Sequence, residues 1–90
     1  MLQTVSLIVS GKVQGVFYRQ SARDKAHALG IGGTVRNNSD GSVTIVATGE
    51  AGQLEQLIAW SKKGPAAATV TGVEIKKEVL QSFNDFRIVR

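Results

Sequence analysis

The pattern of this chain of ninety residues predicts an α+β sandwich of the ferredoxin-like type, β-α-β-β-α-β, with a short extra C-terminal strand. Three observations predict it. Strand-like alternation and helix-like stripes take turns along the chain. Each helical stretch is closed by a glycine, Gly30 or the Gly64-Pro65 pair. The two middle strands are separated only by Asn38-Ser39-Asp40-Gly41, whose Asp and Gly tolerate the positive φ angles of a hairpin turn. In this order two helices pack on one face of a mostly antiparallel sheet.

The elements follow in turn. Thr4 to Ser10 alternates, with Val5, Leu7 and Val9 on one face, and reads as a half-buried strand. Gly11 to Arg19, the run GKVQGVFYR, has neither period and reads as a loop. Gln20 to Leu29 is a helix with Ala22, Ala26 and Leu29 on its apolar side. Gly33 to Asn37 and Ser42 to Thr48 are the hairpin strands, the latter placing Val43, Ile45 and Ala47 on one face. Gly49 to Lys63 is a helix with a stripe of Ala51, Leu54, Leu57, Ile58 and Ser61. Proline after Gly64 ends it, because the residue before a proline is driven out of helical geometry. Thr69 to Val79 is a long strand, with Thr71, Val73, Ile75, Lys77 and Val79 on one side, and Phe86 to Val89 is the last.

Size and composition narrow the function. A chain of 9.6 kDa forms one domain, residues 1–90, with an expected radius of gyration of about 12 Å. It has no cysteine and a single histidine, His27, so Cys-based and His-rich metal sites are excluded and no cofactor is expected. Eleven Lys and Arg against seven Asp and Glu give a net charge of +4, which favours anionic partners. The basic residues are scattered, with no run of three, as on a solvated surface. The apolar run Leu7-Ile8-Val9 is far too short for a signal peptide or membrane span, so a cytoplasmic protein with no membrane partner is expected.

The loop from Gly11 to Arg19 is where chemistry is expected. It joins a strand end to a helix start, where backbone N–H groups are unpaired and the helix dipole is positive. Gly11 and Gly15 let successive N–H groups converge on an anion, and Arg19 adds a planar fork of donors. The residues alone leave two readings, an oxyanion site or a structural loop with a surface arginine. A β-α-β crossover also brings the C-terminal ends of the first two strands to one sheet edge, which places Asn37 near this loop. Its amide either holds a water molecule or merely starts the turn.

GKVQGVFYR, GTVRNNSDGSVTIVATG, WSKKGPAAATV and FRIVR together resemble the acylphosphatase family, from about Val5 to Arg90 without gaps. VQGVFYR and the eighteen-residue step from Arg19 to Asn37 in VRN carry the specificity. The resemblance implies metal-independent hydrolysis of a small-molecule acyl phosphate to a carboxylate and inorganic phosphate. It assigns Arg19 to the phosphate and Asn37 to the attacking water, with a cradle of backbone amides from Val13, Gln14, Gly15, Val16, Phe17 and Tyr18. The chain departs from the family pattern at Thr34, where tryptophan is usual. It also departs at Ala22 and Asn38, where threonine is common, and at Ala66, where a second proline is. None of these is a phosphate or water ligand.

Other residues have plainer roles in prospect. His27 is expected on a solvated helix position, Arg23 at the surface or beside Asp24, and Trp60 against the second helix's stripe. Phe83 and Phe86 anchor the last strand, while one of Phe17 and Tyr18 packs under the cradle and the other lines its entrance. A nucleic-acid-binding module on this scaffold would stack bases on strand aromatics, and Thr4 to Ser10 and Ser42 to Thr48 have none. A catalytically silent regulatory domain is the other rival, disfavoured by the presence of both Arg19 and Asn37 and by a free-standing length. Nothing requires more than a monomer.

Overall fold

Alternation becomes sheet in the computed structural model, which describes residues Met1 to Arg90. The elements are β1 (Leu2–Lys12), α1 (Tyr18–Leu29), β2 (Gly32–Asn37), β3 (Val43–Glu50), α2 (Ala51–Ser61), β4 (Thr69–Glu78) and β5 (Phe86–Val89). The five strands lie in the order β4-β1-β3-β2-β5. All pairings are antiparallel except β2 with β5. Val5, Leu7, Val9, Val35, Val43, Ile45 and Ala47 point to one side and are buried. The helices cover that side, α1 over β2 and β5 and α2 over β3 and β1. The radius of gyration is 11.7 Å, as the length predicts. No helix is long and apolar enough to cross a membrane.

The boundaries differ from the sequence reading in three instructive places. Gly49 and Glu50 extend β3 instead of opening α2, because β1 is long enough to pair with them at Gln3 and Leu2. The helix then starts at Ala51, with the Glu50 amide donating to Gln53 Oε1 at 2.8 Å. α1 begins at Tyr18, two residues earlier than its apolar spacing suggests. In β4 the expected stripe is broken by a bulge opposite Ser10 and Gly11, so Val70 and Val73 pack against the core and Thr71 does not. Neither helix reaches over this edge strand, which leaves Ile75 exposed although it pairs with fully buried Leu7.

The opposite sheet face carries Ser6, Ile8, Thr34, Arg36, Thr44 and Val46, which alternate with the core positions. It offers no aromatic platform for nucleic-acid bases. Thr34 lies half-buried on this face and Ala22 in the core beneath α1, so two of the departures from the family pattern are packing positions.

Two side chains tie the helices down. Tyr18 is buried at the start of α1, and its hydroxyl donates to the Ser61 carbonyl at the end of α2, at 2.9 Å. Its ring lies against Trp60 with centroids 5.2 Å apart, and a Cβ on Gly64 would come within 2.8 Å of it. His27 is not simply solvated. Its Nε2 donates to Asp85 Oδ1 at 3.0 Å and to the Phe86 carbonyl at 3.1 Å, joining α1 to β5.

Burial pushes the Tyr18 phenol well above its ordinary value of 10.0. Below pH 10 the folded and unfolded chains both hold this proton; above it only the unfolded chain loses it, so stability falls as pH rises. Tyr18→Phe is expected to cost about 1–2 kcal/mol at neutral pH through the lost hydrogen bond. It should also flatten the decline above pH 10, as denaturant titrations of the two proteins at pH 7 and 11 would show.

Candidate active site

The segment from Val13 to Tyr18 is pinned at three positions. The side chains of Val13, Val16 and Tyr18 are buried, while Gly15 and Phe17 face outward. Reversing the chain in so few residues requires left-handed backbone at both exposed positions, with φ of 73° at Gly15 and 63° at Phe17. Glycine adopts this freely, whereas phenylalanine does so at a cost of about 1–2 kcal/mol. Such strain persists where its surroundings enforce it, commonly at a functional site. Here buried Val16 and Tyr18 on either side hold it. Thus Tyr18 packs under the loop, and Phe17, 73% exposed, stands at its entrance.

The result is a row of free donors. The amides of residues 13–20 have no acceptor in the protein, the first paired one being Ser21 N, which donates to the Phe17 carbonyl. They lie at the positive end of α1, where an anion is stabilised. Gln14 braces them from the side. Its Nε2 donates to the carbonyls of Asn38 and Ser42 at 2.8 and 2.9 Å, joining the loop to the turn between β2 and β3.

A cavity of about 380 Å³ opens over the loop. Val13, Gly15, Phe17 and Tyr18 line one part, with Arg19 half-buried beside them. Asn37 lines another. Its Oδ1 is the one buried side-chain polar atom of the protein without a hydrogen-bond partner. Gln14 and Val16 contribute backbone to the loop, but their side chains do not line the cavity. Arg23, Gln20, Ile88 and Arg90 complete the wall.

Topology explains why these pieces meet. β1 and β2 both run antiparallel to β3, and β5 runs parallel to β2, so three strands end at one edge. The β2–β5 register pairs Arg36 with Val89, which sets Arg90 beside Asn37. The sequence reading did not include Ile88 or Arg90. Their presence follows from the parallel partner of β2, and a strand of four residues carries no signal of that partner.

The lining contains three arginines and no acidic side chain, imidazole or thiol. Arg19 has no acidic partner, and Arg23 meets Asp24 only through Nε at 3.7 Å. Asp40 lies apart in the turn, accepting from the Ser42 hydroxyl at 2.6 Å and the Ser42 amide at 2.9 Å. These bonds, the hydroxyl's first, hold its carboxyl below the usual carboxylate range. Asn38 also serves the turn, its Nδ2 donating to Ser42 Oγ and Thr44 Oγ1.

Fold and site together define an α+β sandwich with unpaired amide and guanidinium donors at one sheet edge. The acylphosphatase family model matches residues 5–88, and the chain belongs to the acylphosphatase family. An acylphosphatase from Acaryochloris marina is 51% identical over 83 residues, spanning 92% of this chain and 89% of that protein. The structure of an acylphosphatase from Coxiella burnetii superposes with a TM-score of 0.95 at 41% identity, over 98% of this chain and 93% of that one. Full-length HypF in its phosphate- and nucleotide-bound form matches all of this chain with 12% of its own length, at a TM-score of 0.93 and 27% identity.

Proposed function

We propose that this chain hydrolyses the carboxyl–phosphate bond of a small acyl phosphate. The amides of residues 13–18 and Arg19 hold the phosphoryl group, and Asn37 orients the attacking water. The observation that carries this reading is the buried, unpartnered Asn37 Oδ1 on the wall of the cavity that also holds Arg19. An amide oxygen there can accept a hydrogen bond from water and turn the water's lone pair toward phosphorus.

The reaction needs little more. An acyl phosphate is a mixed anhydride with a good carboxylate leaving group, so the barrier lies in placing water in line and spreading charge over the phosphoryl oxygens. Fixed N–H donors and a guanidinium do this without reorganising. The water oxygen bonds to phosphorus, the bridging P–O bond breaks, and its electron pair leaves with the carboxylate. The lining supplies no acidic side chain or imidazole to take the water's proton, which passes to a phosphoryl oxygen of the substrate.

Asp40 is already engaged by Ser42, so an Asp40→Asn variant is expected to keep kcat for benzoyl phosphate within about threefold of wild type. A collapse in kcat would make Asp40 the base and overturn this proton path. The central experiment is hydrolysis of benzoyl phosphate in excess EDTA. Steady turnover is expected. A folded protein that binds inorganic phosphate and turns nothing over would instead be a silent domain.

A further inference from the structure

Holding one phosphoryl group requires the loop amides and a single guanidinium, yet the cavity is lined by three, those of Arg19, Arg23 and Arg90. An acyl phosphate brings up to two negative charges near neutral pH, and no acidic side chain in the wall offsets the rest. Arg23 stands one helical turn beyond Arg19 on α1, about 6 Å along the axis. It is only 38% exposed, and its one acidic contact is the long one through Nε, so its two terminal nitrogens have no protein acceptor. Phe17 and Ile88 add apolar wall to the same cavity.

We infer that Arg23 is a specificity residue that selects acyl phosphates whose acyl half carries a second negative charge. The inference rests on the hydrolytic reading proposed above. Arg19 and the loop take the phosphoryl end, while the Arg23 fork receives a carboxylate or phosphate on the acyl chain, with Arg90 adding to the field. A bidentate guanidinium–carboxylate contact of this kind is both strong and directional. Phe17 and Ile88 contact the carbon framework between the two charged ends.

The test compares 4-carboxybenzoyl phosphate with 4-carbamoylbenzoyl phosphate, two substrates of nearly the same shape that differ by one charge. Wild type is expected to favour the carboxylate by about tenfold in kcat/KM. The preference should shrink as salt rises, since the site is open to solvent. In Arg23→Gln the ratio should fall to within about twofold of unity, with far-UV circular dichroism and Tm unchanged. Equal losses on both substrates, a ratio that Arg23→Gln leaves intact, or no charge preference in wild type would each overturn the assignment. Absence of turnover on either substrate by folded wild type would overturn the hydrolytic reading, and this inference with it.

Discussion

Arg19→Ala is expected to lower kcat/KM for benzoyl phosphate by about 10³-fold or more. Loss of a single neutral donor to a developing oxyanion costs roughly 10²- to 10³-fold, and a charged bidentate donor is worth more. Arg19 has no protein partner to re-form a contact with, and no other arginine lies at the first turn of α1. Lysine should not restore the rate, because a point charge cannot replace two parallel N–H donors. Calorimetric titration with inorganic phosphate supplies the second reading. Affinity should fall along with the rate, since this group acts on the ground state as well as the transition state. An Arg19→Ala enzyme within tenfold of wild type would remove Arg19 from the centre of the site.

Asn37→Ala should behave differently. The rate is expected to fall about 10²- to 10³-fold, almost wholly in kcat, with KM and phosphate affinity little changed, because in the proposed mechanism Asn37 addresses the water and not the phosphoryl oxygens. Stability should not fall with it. In the folded protein Oδ1 is buried without a partner, and such an acceptor typically costs about 1–3 kcal/mol. Removing it should leave Tm unchanged or raise it. A variant that is inactive and also unstable would mean that Asn37 is a structural member of the turn, and the separation of the two effects is therefore the informative quantity.

Much of this was legible from the residues, and the reasons differ from place to place. Leu7, Val43 and Ile45 announce their burial because a strand covered on one side alternates. Arg19 and Asn37 are legible because a β-α-β crossover returns both strand ends to one edge, whatever lies between them. The start of α1 is less so: Tyr18 belongs to the helix, but its ring serves a contact with α2 that no spacing within α1 reveals. His27 is similar, since its partner Asp85 lies 58 positions away. From sequence Gln14 is expected only for its backbone amide, and its side chain is the clearest omission. A glutamine between two valine-containing stretches carries no pattern, and its bracing role appears only when the Asn38 and Ser42 carbonyls are folded against it. Long-range polar contacts of this sort depend on register, which composition and periodicity leave open.

The strand order gives β3 an unadvertised duty. It contributes no side chain to the cavity, yet it lies between β1, which leads into the loop of residues 13–17, and β2, which ends in Asn37. Two interstrand steps of about 4.8 Å make it the gauge that sets how far apart the two halves of the chemistry stand. Val43, Ile45 and Ala47 are all fully buried beneath that gauge, where even a methylene added or removed is felt. Since a misplacement near 1 Å can cost about 10²-fold in rate, the packing under a silent strand is part of the machinery that times the reaction.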